Sequence, residues 1–235
     1  MKKIIAIILV AVMCLCVPAF ADYEEVFVDT EPLDVGGSLS NFARSKQYTE
    51  GRFTDVSAGV WYAESVKAAY ELGLVNGNSE TTFNPEGSIT LAETITLAAR
   101  LRATYETGKN EFAQTGDVWY QVYVDYALNK GIIYDGQFSD YTKAATRAEF
   151  AVIMKNAVPR SALPAINNVE YGQIPDVPIA TSYSMSVYLL YNAGILTGND
   201  ELGTFAPDTT IARSAVAAIV TRIADASLRR SVTLQ

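Results

Sequence analysis

The side chains left to do chemistry in this chain are carboxylates, hydroxyls and guanidinium groups. Its 235 residues include no histidine, and cysteine occurs only at Cys14 and Cys16. Ser-His-Asp and Cys-His nucleophile pairs are therefore absent, and zinc lacks its ordinary ligands. Glycoside hydrolysis needs only two carboxylates, so composition alone leaves it open. Yet the acids recur at equivalent places, as Asp55 and Asp176 do, instead of forming one unique pair. Asn78-Ser79-Glu80 and Asn199-Asp200-Glu201 offer oxygen ligands. They lack the alternating ligands, and the bidentate acid about twelve residues on, of a calcium loop. The reading is a protein without catalytic centre, cofactor or metal.

The elements that carry these acids recur. Phe53-Thr54-Asp55-Val56 leads to Trp61-Tyr62, Gly73-Leu74-Val75-Asn76-Gly77, Phe83-Asn84-Pro85 and Thr90-Leu91-Ala92-Glu93. The string returns as Val118-Trp119-Tyr120, Gly131-Ile132-Ile133-Tyr134 and Thr146-Arg147-Ala148-Glu149. It returns again as Ile174-Pro175-Asp176-Val177, Gly194-Ile195-Leu196-Thr197-Gly198, Phe205-Ala206-Pro207 and Ile211-Ala212-Arg213-Ser214. Gly73 and Gly131 lie 58 residues apart, Gly131 and Gly194 lie 63 apart. Such a period implies stacked or radially arranged units sharing a core, and favours a scaffold or binding role.

Lys2 and Lys3, the 14-residue apolar run Ile4–Val17 and Ala19-Phe20-Ala21 read as a secretory signal peptide over residues 1–21. The run is short for a membrane span, which needs about 20 residues. Cleavage removes both cysteines, and with them disulfides and thiolate metal sites. It also takes the net charge from −8 to −10, since Lys2 and Lys3 leave and no acid does. No basic cluster is present for nucleic acid or an anionic membrane. Net negative charge suits a soluble exported protein.

The remaining chain divides into a lead-in at 22–51, repeats at 52–105, 112–158 and 174–226, and a tail at 227–235. Within the lead-in, Leu39 to Tyr48 is expected to form a short helix docking on the first repeat. Each repeat reads as helix, loop, helix. In the first, Trp61, Ser65, Val66, Ala69, Tyr70 and Leu72 mark one face at helical spacing, and Gly73 ends the helix. Phe83 pins a loop rich in Gly, Asn, Thr and Pro. Thr90/Glu93 and Thr146/Glu149 are capping boxes. In the third repeat, Ala212 and Ala215 replace both members. Trp61, Trp119 and Tyr183 start the first helices. An exposed aromatic there would stack on a sugar, but at this spacing core packing is the better reading.

As a set, Asp-Val, Trp-Tyr, the helix ending in Gly-Ile/Leu, the Thr-Phe-x-Pro loop and Thr-Arg-Ala-Glu resemble the S-layer homology module. The resemblance covers residues 52–226. It implies an all-α fold in which three helix-loop-helix repeats form a pseudo-threefold, three-pronged unit around a central helical bundle. It implies non-covalent anchoring of exported proteins at the bacterial cell surface. The partner would be a secondary cell-wall polysaccharide, a peptidoglycan-linked glycan that often carries a ketal-linked pyruvate. The ligand would sit in grooves between prongs, with the arginine of Thr-Arg-Ala-Glu as a principal contact.

Carried onto this sequence, that points to Arg147 and Arg213. Each falls in a first helical turn, which favours an anion, and a guanidinium can hold a carboxylate by two parallel bonds. The alternative is a solvated first-turn residue or the partner of a nearby acid. Asp55 and Asp176 are candidate ligand contacts or loop caps. Gly77 and Gly198 either permit tight turns or let a ligand approach the backbone. The departures are that Leu91 stands at the arginine position of the first repeat, Gln114 at an aspartate position of the second, and Ser182 at a tryptophan position of the third. Two other functions remain on the same fold, an envelope scaffold that binds other envelope proteins and an enzyme acting on wall carbohydrate.

Overall fold

A computed structural model of the protein describes residues 36–114 and 116–234. The signal-peptide reading of residues 1–21 lies outside the described residues. The described chain is all-α, with six α-helices and no strand among its described residues. They are α1 (Ala63–Glu71), α2 (Leu91–Thr107), α3 (Gln121–Asn129), α4 (Arg147–Lys155), α5 (Ser184–Asn192) and α6 (Arg213–Ala224).

Local sequence explains where these helices stop and start. Past the ends of α1, α3 and α5 stand Gly73, Gly131 and Gly194, with φ of 70°, 66° and 71°. That left-handed geometry costs glycine little and ends a helix. Helices α2 and α4 open on complete capping boxes. Thr90 Oγ1 accepts the Glu93 amide at 3.2 Å, while Glu93 Oε2 accepts the Thr90 amide at 2.7 Å. Thr146 and Glu149 repeat the pair at 3.2 and 2.9 Å. Helix α6 opens at Ala212 with no side-chain cap.

The lead-in departs from expectation. Between Leu39 and Tyr48 only Leu39–Asn41 is helical, as a single 3-10 turn. The rest runs irregularly across the ends of two helices. Ser38 N–H donates to Tyr105 O at 3.0 Å, and the Ser45 and Lys46 amides both reach Glu71 O. The carbonyls that end α1 take up the polar backbone that a helix would have satisfied internally.

Each first helix of a repeat packs on a second helix from a different repeat: α1 on α6, α3 on α2, α5 on α4. Three isolated bridges close a ring among the loops, Ser88 with Ala212, Thr90 with Ala144 and Thr146 with Thr210. Beside them the first amides of each second helix donate to the loop of another repeat. Leu91 N–H reaches Lys143 O at 3.0 Å, Arg147 N–H reaches Thr209 O at 2.8 Å, and Arg213 N–H reaches Gly87 O at 2.8 Å. The core runs continuously through all of this, with Val66, Ile95, Leu101, Ile153, Leu190 and Val220 fully buried. One charge lies inside it: Arg102 is 1% exposed and donates to the carbonyls of Ala157 and Asn156 at 3.1 and 2.8 Å. It thereby caps the C-terminal end of α4 from α2.

Candidate functional site

The loops that follow α1 and α5 are each shaped from behind by an aspartate. Asp55 accepts the amides of Phe83 and Asn84 at 2.8 and 2.7 Å, one on each carboxylate oxygen. Asp176 does the same for Phe205 and Ala206 at 2.8 and 2.6 Å. The second amide of each pair belongs to a left-handed residue, Asn84 at φ 59° and Ala206 at φ 56°. A non-glycine residue there is strained and needs outside support, which two charge-assisted bonds supply. The bend turns the preceding phenylalanine inward, so Phe83 and Phe205 are each 1% exposed.

Those loops present the carbonyls that hold the two arginines. Arg147 Nε donates to Phe205 O at 2.7 Å, and its guanidinium lies 5.1 Å from the Phe205 ring centre. Arg213 Nε donates to Phe83 O at 2.8 Å and its Nη2 to Asn76 O at 2.8 Å, with the guanidinium 4.8 Å from the Phe83 ring centre. Each arginine thus crosses from its own repeat to the loop of another. Burial lowers the pKa of both from the ordinary arginine value, offset in part by Tyr191 and Asp176 for Arg147 and by Glu93 and Asp55 for Arg213. Both remain cations at neutral pH, fixed in place and partly stripped of water.

Two grooves form around them. The first, of about 350 Å³, is lined by Arg147, Gly198, Asn199, Arg222 and Trp61. The second, of about 330 Å³, is lined by Arg213, Gly77, Asn78, Arg100 and Trp119. All three repeats contribute to each. Of the candidate residues, Arg147 meets Gly198 in the first groove and Arg213 meets Gly77 in the second, while Asp55 and Asp176 line neither. Both glycines are required by crowding: a Cβ on Gly77 would meet Ser79 O at 2.3 Å, and one on Gly198, at φ +82°, would meet Gly203 Cα at 2.6 Å.

The tryptophans correct the sequence reading. Trp61 and Trp119 are 67% and 48% exposed, not core. Helix α1 starts at Ala63 and α3 at Gln121, so both tryptophans precede the helix and its periodicity does not govern them. Each stands edge-on to the tyrosine after it, with ring centres 5.3 and 5.4 Å apart. Tyr62, Tyr120 and Tyr183 are the residues packed against the core.

Arg100 and Arg222 were also missed. They belong to a stripe at i, i+3, i+4 and i+7, namely Glu93, Thr96, Leu97 and Arg100 on α2 and Ala215, Ala218, Ile219 and Arg222 on α6. That spacing is readable in the sequence; its mixed polarity disguises it.

The third corner is built differently. There Leu91 replaces the arginine and is fully buried, while Ser182 stands in the place of the tryptophan. Asn156 Nδ2 donates to Ile132 O at 3.1 Å, the bond that Arg222 Nη1 makes to Ile195 O at 2.8 Å. Among the described residues no group of three or more acids, cysteines or histidines could hold a metal ion. Asp200 spends its carboxylate on the amides of Leu202 and Thr204.

Comparison with known proteins assigns the beginning of this assembly. Residues 52–95 match the S-layer homology domain. The chain is 28% identical over 127 residues, half of its length, to a surface-layer 125 kDa protein of Lysinibacillus sphaericus. It is 32% identical over 123 residues, 47% of its length, to exoglucanase XynX of Acetivibrio thermocellus. It is 30% identical over 121 residues, again 47% of its length, to an amylopullulanase of Thermoanaerobacterium thermosulfurigenes. These matches span only 11%, 11% and 6% of the three relatives. Residues 52–95 are thus similar to an S-layer homology domain, a family whose members serve cell-wall anchoring.

Proposed function

We propose that the protein anchors at the bacterial cell wall by binding a secondary cell-wall polysaccharide in the two grooves that pair an arginine with a tryptophan, with the three repeats acting as one pseudo-threefold unit. The observation that carries this is the composition of the grooves. Each brings a fixed, half-desolvated guanidinium and an exposed indole from different repeats to one concave surface. An acidic sugar offers both complements, a carboxylate for the cation and an apolar ring face for the indole. Because Nε and, in Arg213, Nη2 already hold carbonyls, little side-chain entropy is left to lose on binding. The opposite guanidinium edge faces no described acceptor. The third corner, with Leu91, Ser182 and Asn156, does not bind.

Cosedimentation of the protein with purified sacculi, with and without their secondary polysaccharide, tests this. Binding should vanish when the polysaccharide is stripped. It should fall at least about tenfold in each of Arg147→Ala and Arg213→Ala, the scale of one charge-assisted contact. Unchanged binding in the double variant would remove the arginine clamp. Absence of binding to either preparation would turn the search to envelope protein partners.

A further inference from the structure

The two grooves share a plan but not a charge. The first contains Arg147 and Arg222, and no acid lines it. The second contains Arg213 and Arg100 together with Glu93. The difference comes from one position on the shared stripe, where α2 carries Glu93 and α6 carries Ala215. Glu93 Oε2 is used by its own helix start, accepting the Thr90 amide and hydroxyl at 2.7 and 3.0 Å. The carboxylate still offsets the charge of Arg213. In the first groove Asp176, behind the loop, offsets Arg147 as Asp55 offsets Arg213, but no acid stands on the stripe itself. Burial and neighbouring Arg230 push the Arg222 pKa down to about 10, and Arg222 Nη1 donates to the neutral carbonyl of Ile195. The lost capping box of α6 is therefore also the removal of a carboxylate from a binding groove.

We propose that the grooves select ligands of different charge: the Trp61 groove takes a dianionic substituent, and the Trp119 groove takes a singly charged acid whose neighbouring hydroxyl donates to Glu93. This rests on the glycan reading above. Two partly desolvated cations in a groove that no acid lines favour a second negative charge, whereas Glu93 repels one at the same place.

The chain has two tryptophans, and each reports one groove. Trp119→Phe leaves Trp61 as sole reporter, and Trp61→Phe leaves Trp119. Fluorescence titration with glucose 6-phosphate, close to −2 at pH 7.5, and with glucuronate, −1, ranks the sites. The phosphate should bind the Trp61 groove about tenfold more tightly than glucuronate does, a factor expected for one charge pair near a protein surface. At Trp119 that preference should be absent. Ala215→Glu should abolish it at Trp61, and Glu93→Gln, which keeps the capping geometry, should create it at Trp119. Equal ranking in both grooves, or no response to either substitution, overturns the proposal. Binding of stripped wall polysaccharide without any response to either probe overturns it too, because charge is then not what the grooves read. If polysaccharide and both probes all fail to bind, the glycan reading falls with it.

Discussion

At the residue scale, the grooves separate side chains that brace the loops from side chains left open to solvent. Asp55 and Asp176 were legible as important, since both recur, and loop capping was one of two readings for them, but the residues they brace were not. An aspartate that braces a left-handed residue 29 or 30 positions away needs a chain reversal that no local pattern displays. The tryptophans were misjudged for a related reason: one residue of displacement before a helix cap moves an aromatic from the buried face to the rim. Trp61 makes the distinction measurable. At 67% exposure, its replacement by alanine should change unfolding free energy by no more than about 0.5 kcal/mol. Wall-polysaccharide affinity should fall several-fold in the same variant. A large loss of stability in urea denaturation, or unaltered cosedimentation, would return Trp61 to a packing role.

At the element scale, the starts and ends of helices were readable because their chemistry is local. A Ser/Thr-x-x-Glu box satisfies two free amides within four residues, and a glycine at positive φ ends a helix. The segment 39–48 was not readable, because the Ser45 and Lys46 amides are satisfied by Glu71 O at the end of α1 instead of by a helix of their own. The uncapped start of α6 is correctable. Ala212 has φ −77° and ψ 147°, close to Thr146 at −74° and 160°, and is only half-buried. Ala212→Thr should therefore add about 1 kcal/mol and raise Tm by about 2–4 °C in a calorimetric scan. The intact box on α4 makes a pH prediction. Burial pulls the Glu149 pKa up, but Lys143 at 2.6 Å and the Thr146 amide and hydroxyl outweigh it and leave the carboxylate below its ordinary value. A depressed folded-state pKa stabilises above the unfolded value and is lost as pH falls through the folded one. Glu149→Gln should hence cost stability at pH 7, and the gap to the parent protein should narrow between about pH 5 and about pH 3. A gap independent of pH would show that the carboxylate's charge is not what the box uses.

At the scale of the molecule, the repeats are sequence units but not packing units. Hydrophobic period shows which face of a helix is buried without showing against what. The answer, α1 on α6, α3 on α2 and α5 on α4, lies in contacts between segments far apart in the chain. The same interleaving sets the energetics. A linear solenoid sums nearly independent neighbours and can lose a terminal repeat with little penalty. Here the first repeat buries α1 on the last helix of the third and α2 on the first helix of the second, while Arg102 ties α2 to the end of α4. A fragment of residues 36–110, a whole repeat with its lead-in, would leave Val66, Ala69 and Leu101 without their partners. It should show no cooperative melt by circular dichroism. The full protein should unfold in one transition, with helix content and the fluorescence of Trp61 and Trp119, read in single-tryptophan variants, changing at the same urea concentration. Separate midpoints for the two tryptophans, or a sigmoidal melt of the fragment, would mean that the repeats fold as independent modules and that the interlocking carries little of the stability.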